Sequence, residues 1–184
     1  MVVPKICGLE TEYGILAVGS DMGPIAASSL VVGSYSGGTP SSWDYSLERP
    51  GDDARGFTLD DQFLPEIEVQ LVNSVLTNGS RYYVDHAHPE ISGPECTNAL
   101  DVVLYDQAAD EILRRSLDLA NSQLPNGVNI VAHKNNSDGK GNSYGSHENY
   151  LVARSVPFDR LAARSEEHTS ELQSRQYLVC RLLL

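Results

Sequence analysis

The chain has 184 residues, 41% of them hydrophobic and 7% aromatic, a globular composition that excludes a disordered tail or a fibrous repeat. No stretch approaches the roughly 18 consecutive apolar residues of a membrane span, the N-terminus lacks a signal-peptide core, and a formal charge of −12 argues against nucleic acid or an anionic membrane as partner. The expectation is a cytoplasmic protein whose carboxylates suit divalent cations, with Cys7, Cys96 and Cys180 at no metal-type spacing and forming no disulfide framework.

In chain order, residues 2–18 alternate loosely around Ile6, Leu9, Tyr13, Ile15 and Val18 and predict a strand interrupted near Gly8 and Gly14. Residues 33–60, rich in Ser, Gly, Pro and Asp, predict a long mobile loop of the kind that often serves as a lid. Ile67, Leu71, Val72, Val75 and Leu76 share a helical stripe over 66–77, with Asn78-Gly79 as its C-cap. A short β-rich strand at 81–84 ends at Asp85. The clearest helix spans 98–124, with Leu100, Val103, Leu104, Ala108, Ile112, Leu113 and Leu117 in register and Pro125 and Gly127 ending it. Residues 128–132 predict a strand, 135–142 a turn and 143–153 another strand. With no βαβ regularity, the fold class expected is α+β with an antiparallel sheet.

The last residues, 164–184, read differently. Back-translated, 164–174 and 177–184 resemble two blocks of a common short-read sequencing adapter, in frame and in order, across an index-sized gap. A capping box opened by Ser165 would need Glu or Gln where His168 stands. This stretch is therefore set aside as a translated adapter tail, and residues 1–163 are read as the N-terminal part of a catalytic domain.

Three blocks concentrate polar chemistry. In GLETEYG, Glu10 and Glu12 stand two apart on a strand and project from one face; like charges so placed repel unless a cation lies between them, although two solvent-facing glutamates are the plainer explanation of this block alone. In RYYVDHAHPE, Asp85, His86, His88 and Glu90 fall within six residues at a strand end, and Tyr83 shares the face of Asp85. In VAHKNNSDGKGNSYGSHENY, His147 and Asn149 alternate on one face of a strand with Glu148 on the other. From residues alone this amounts to an acidic site for Mg²⁺ on an antiparallel sheet.

Taken together and in this order, GLETEYGI, YVDHAHPE and HKNN-DGKG-SYG-HENYL resemble the depupylase and Pup-deamidase enzymes of the bacterial Pup–proteasome pathway, over about residues 4–158. Those enzymes share a superfamily with the Pup ligase and glutamine synthetase, so the resemblance implies a curved antiparallel sheet forming a cradle for ATP and Mg²⁺. Glu90 stands five residues after Asp85, whereas the ligase resembles YVDxxSHPE with one residue more; the 33–60 insertion also resembles depupylases rather than the ligase. The resemblance implies Glu10, Tyr83, Glu90 and His147 as Mg²⁺ ligands, Arg81, Ser92 and Asn149 as nucleotide contacts, and Asp85 as the catalytic aspartate. Where the family commonly shows HPEY, this chain has Ile91.

The implied reaction is hydrolysis of the isopeptide bond between Pup and a substrate lysine, and of the C-terminal glutamine amide of Pup, with Mg²⁺–ATP as cofactor and with Pup and pupylated proteins as partners. The alternatives are a Pup–protein ligase that spends ATP on the Pup glutamate, or an inactive fragment. Family members continue for several hundred residues, with further nucleotide-binding arginines, so the chain by itself is expected to be inactive.

Overall fold

The computed structural model describes residues 6–41, 72–85, 87–134, 145–151, 153, 155–157 and 159. Its elements run β1 (Ile6–Glu12), β2 (Gly14–Val18), α1 (Pro24–Ser34), β3 (Gly38–Pro40), β4 (Asn73–Leu76), β5 (Arg81–Asp85), β6 (His88–Ser92), α2 (Ala99–Ser122), β7 (Asn129–His133) and β8 (Ser146–Leu151). Six strands form one antiparallel sheet in the order β3-β4-β5-β6-β1-β8, and β2 pairs with β7 in a separate ribbon. The α+β expectation is met.

The two faces of the large sheet differ because side chains alternate along each strand. Tyr82, Val84 and Ile91 face the helices and join Val31 and Val32 of α1 and Ile112 and Leu113 of α2 in one buried cluster. Their neighbours in the strands, Tyr83, Asp85 and Glu90, project from the opposite face, as do Glu10 and Glu12. Beside the core, Asn121 ties α2 to β7, donating to Ile130 O at 2.9 Å and accepting from Ile130 N at 2.7 Å.

Four sequence expectations are corrected. The strand expected over 2–18 is two strands in two sheets, and the break falls at Tyr13 rather than at Gly8 or Gly14. Tyr13 is fully buried, its N–H donates to Pro89 O at 2.9 Å and its hydroxyl to Asp110 Oδ1 at 3.1 Å, and these bonds turn the chain out of the first ladder. The helix expected over 66–77 is a strand at Asn73–Leu76, because Asn78-Gly79 makes a β-hairpin turn instead of a helix cap. Gly79 has φ +86°, and Asn78 Oδ1 accepts from Ser80 N, the chemistry that hairpin turns favour. The loop expected from residue 33 begins later, since Gly33 and Ser34 end α1 and Gly38–Pro40 pairs with β4. Finally, His88–Ser92 is a strand paired to β5, not an exit from it. The rest of the 33–60 loop, the 66–71 part of the expected helix, His86, the 135–142 turn and the adapter-like tail lie outside the described residues.

Helix α1 has no counterpart among the expectations. It is apolar on most sides and so lacks the period that marks a half-buried helix, although Pro24 at its first turn is a start signal. Helix α2 is present with Asn98 as its N-cap, the side chain accepting from Asp101 N at 2.9 Å. Its buried stripe, however, is Ala109, Ile112, Leu113, Ser116 and Ala120, while Leu100, Val103 and Leu104 are exposed. Length explains the difference: 24 residues span about 36 Å against about 16 Å for the 11 of α1, so the first turns of α2 outrun that cover. Among the described residues no helix is long and apolar enough to cross a membrane.

This register makes a direct forecast. Leu113→Ala should cost about 2–5 kcal/mol of unfolding free energy and Leu104→Ala less than about 0.5 kcal/mol, as read from urea midpoints.

Candidate functional site

Directly opposed residues in an antiparallel ladder share a face, so the register builds the site row by row. Arg81 stands opposite Ser92, Ser92 opposite Glu10, and Glu10 opposite His147, across β5, β6, β1 and β8. The next row is Tyr83, Glu90 and Glu12; the row after that pairs Asp85 with His88. Asn149 follows His147 by two residues and lies opposite Gly8. All eight residues singled out by sequence therefore stand on one sheet face.

Hydrogen bonds join the first two rows. Glu10 Oε1 accepts from the Tyr83 hydroxyl at 2.7 Å and from Ser92 Oγ at 2.9 Å, while Glu10 Oε2 lies 3.1 Å from His147 Nδ1. Two donor groups emerge whose candidate ligand atoms all lie within 4.8 Å of one another: Glu10, Glu90 and His147, and Glu12, Asp85 and Glu90. Glu90 belongs to both. It is 1% exposed, and its Oε2 is buried without a hydrogen-bond partner. A buried, unpartnered carboxylate oxygen is costly, and a cation between two carboxylate groups is the usual remedy. Oxygen donors with one imidazole fit a hard divalent ion.

Electrostatics reflect the crowding. Burial, then the neighbouring Glu10 carboxylate, pushes the Glu90 carboxyl far up. Burial also pushes Glu10 up, but hydrogen bonds from Glu90, Tyr83, His147 and Ser92 outweigh it and hold Glu10 below the ordinary range. The crowding thus drives the two carboxyls apart, Glu90 toward its protonated form and Glu10 toward its ionised form. Burial and the charges of Glu90 and Glu10 raise the Tyr83 phenol, so it remains a donor to Glu10.

Tyr83, expected as a ligand, donates its hydroxyl to Glu10, a member of the first donor group. Ser92 and Asn149 line a half-open cleft of ≈ 500 Å³ with Glu10, Gly8 and Tyr150. Arg81 lies one strand beyond, its guanidinium 3.7 Å from the Tyr83 ring centre and its Nε donating to Asn73 Oδ1 at 3.0 Å. Glu12 was paired with Glu10 by sequence but not carried into a ligand set. Its Oε2 accepts from Gly145 N at 2.8 Å and lies 3.8 Å from His88 Nδ1. A Cβ at residue 145 would come within 2.8 Å of Glu12 Oε1 and would push that carboxylate aside. Two-residue alternation puts Glu12 on the face of Glu10, but only the pairing of β1 with β6 sets it opposite Glu90.

An antiparallel sheet with helices on one face and clustered carboxylates on the other is an α+β architecture with the donors for a hard divalent cation. The profile of the Pup-ligase protein family matches residues 5–179, and the chain belongs to that family. It is 46% identical over 165 residues to a depupylase of Acidothermus cellulolyticus, covering 84% of this chain and 33% of that protein. It is 42% identical over 171 residues to a Pup deamidase/depupylase of Mycolicibacterium smegmatis, covering 86% of this chain and 34% of that one. The fold is similar to the crystal structure of the complex between Prokaryotic Ubiquitin-like Protein Pup and its Ligase PafA, with TM-score 0.61, 29% identity, and coverage of 88% of this chain and 28% of that chain. The chain thus spans about a third of the length of the curated relatives it matches.

The raised Glu90 carboxyl has a measurable consequence. The folded chain holds a proton that the unfolded chain releases in the ordinary glutamate range, so stability falls as pH rises above that range. Glu10 acts in the opposite sense, and its contribution is lost only below that range. In chelator, Glu90→Gln should therefore gain on the wild type as pH rises from about 5 to 8, by at most about 1.4 kcal/mol per pH unit, the limit for one proton. Urea titrations at several pH values check this.

Proposed function

We propose that the protein of which this chain is a part hydrolyses the isopeptide bond between Pup and a substrate lysine, and the C-terminal glutamine amide of Pup, with Mg²⁺ and ATP as cofactors. The observation that carries this reading is the buried carboxylate of Glu90, shared by two donor groups, with Asp85 in one of them. Glu10, Glu90 and His147 would hold one cation and Glu12, Asp85 and Glu90 have the donors for another, while Ser92 and Asn149 offer polar groups to the nucleotide from the adjoining cleft. When bound, Mg²⁺ and the nucleotide phosphates would polarise the γ-carbonyl and offset developing negative charge.

Asp85 supplies the reacting oxygen. It stands at the end of β5, half-exposed, where an extended substrate can reach it. As a nucleophile it forms an acyl intermediate and releases the lysine amine or ammonia; as a base it takes a proton from the attacking water. Tyr83 and Ser92 keep Glu10 ionised and oriented toward the cation. ATP is bound and not consumed, because amide hydrolysis runs downhill without it.

A ligase reading is favoured by the likeness to the solved Pup–ligase structure, by the Pup-ligase family profile and by Pup–protein ligases at 34–36% identity. Depupylase is preferred because the 46% identical relative is a depupylase and because the Asp85-to-Glu90 spacing is the shorter one. ATP turnover coupled to conjugate formation would establish the ligase instead.

The test uses the protein completed to the length of its relatives. Asp85→Asn should lower cleavage of a Pup–lysine conjugate by several orders of magnitude while nucleotide binding persists. Near-normal cleavage by that variant refutes the assignment. Glu90→Gln should abolish the rise in melting temperature that Mg²⁺ gives the wild type, a readout that needs no turnover. The chain alone should cleave nothing.

A further inference from the structure

Among the described residues, Ala87 is the one non-glycine residue with a positive φ, at 69°. A side chain with a Cβ adopts this left-handed region at an energetic cost that glycine or asparagine largely escapes. Such outliers persist only where the surroundings impose them, and they cluster at functional sites. Ala87 occupies the connection between β5 and β6, whose closing pair is Asp85 and His88. The strained residue is therefore two positions from the proposed reacting carboxylate and three from Glu90.

One hydrogen bond accounts for its persistence. Ser28 Oγ donates to Ala87 O at 2.7 Å, a tether spanning 59 residues of sequence. Ser28 is 0% exposed, set among Ala27, Val31 and Val32 on the buried side of α1. A serine in a helix ordinarily satisfies its hydroxyl on its own helix, by bonding the carbonyl one turn back. Ser34 does so on Leu30 O at 2.7 Å, and Ser116 on Ile112 O at 2.9 Å. Ser28 instead directs its proton out of the helix, to the turn. Of the two adjacent serines of α1 with buried hydroxyls, Ser28 is the one that bonds the hairpin bearing Asp85.

We propose that Ser28 is a positioning residue: from α1 it holds the Ala87 carbonyl, keeps the β5–β6 turn in its left-handed conformation, and so fixes Asp85 relative to Glu90. This rests on the reading of Asp85 as the reacting carboxylate. Asp85 is at the last position of β5, paired with His88 across the turn, so the conformation of that turn bears on where Asp85 stands. Without the tether, the hairpin relaxes toward an unstrained turn and Asp85 moves by a fraction of an ångström to an ångström. Displacements of that size at a reacting group cost about a hundredfold in rate. Ser28 touches no substrate; it acts through Ala87.

Two substitutions test this in the protein completed to the length of its relatives, with cleavage of a Pup–lysine conjugate as the assay. Ser28→Ala removes the donor, and Ala87→Gly removes the strain while keeping the acceptor. Ser28→Ala should lower kcat about ten- to a hundredfold with KM unchanged, and amide hydrogen exchange at residues 84–88 should quicken. Ala87→Gly should keep wild-type kcat, because glycine adopts φ 69° freely and the tether remains. In the double variant Ala87→Gly should restore most of the kcat lost to Ser28→Ala, since the strain that drives the relaxation is gone. A merely structural role for the tether predicts a fall in melting temperature for Ser28→Ala with full kcat in the folded enzyme, and no rescue. Should Ser28→Ala fail to fold, Ser28→Cys, with a longer and weaker donor, decides by the same readouts. Asp85→Asn is the control. If it is inert and the Ser28 variant keeps wild-type kcat, the positioning role is overturned while the reading of Asp85 stands. If Asp85→Asn is active, both are overturned.

Discussion

Strand β1 is hydrogen-bonded on both sides, to β6 and to β8, and this double register is the constraint on which the rest of the site depends. It sets Glu10 between Ser92 and His147 and puts Glu12 opposite Glu90. A slip of one residue would turn both glutamates toward α1 and α2 and bring Leu9 and Thr11 to the open face. The helix side forbids this. There Leu9, Thr11 and Ile91 line a small cavity with Val102, Tyr105 and Ala109 of α2, where a glutamate turned inward would lose its solvation. Apolar packing on one face thus enforces polar crowding on the other.

Crowding of this kind must be neutralised. Glu90 stands opposite Tyr83 and Glu12, and burial, then the charges of Glu10, Glu12 and Asp85, push its carboxyl up. The same geometry that makes the carboxyl costly places it in both donor groups, where it would suit a divalent ion in either. Tyr83 and Ser92 then have a role of their own: they occupy one oxygen of Glu10 and leave its other oxygen beside His147. Outer hydrogen bonds of this sort orient ligands and tune their basicity.

The helices serve as a frame for this face. Tyr13, immediately after Glu12, is anchored to Asp110 of α2, and Lys134 at the end of β7 reaches Asp106 and Asp110 at 2.7 and 3.0 Å. Beneath β5 and β6, α1 supplies the apolar packing and the single hydroxyl that reaches the hairpin. Sites carried on strands and braced from behind in this way hold their geometry better than sites on loops.

Much of this was legible in the amino-acid order. The strand of RYYVD, the long helix, the strand at Asn129–His133 and the last strand all stand within a few residues of expectation, because each carries its own period and its own stop signals. The site residues were legible as three polar blocks, since Glu10 and Glu12, Tyr83 and Asp85, and His147 and Asn149 each share a face by two-residue spacing alone. What the order could not state was which blocks meet. That Glu90 serves two donor groups, that the Tyr83 hydroxyl meets Glu10, and that Glu12 belongs beside Asp85 follow from strand order and register. Local signals also misled where tertiary pairing prevailed, as when the stripe ending at Asn78-Gly79 became a hairpin strand, and where packing overrode a pattern, as on the exposed first turns of α2. The amino-acid order by itself determined the elements and the chemistry each brings, since period and turn residues are local properties. Only the tertiary structure decided the partners, since pairing depends on contacts between segments as far apart as Glu10 and His147.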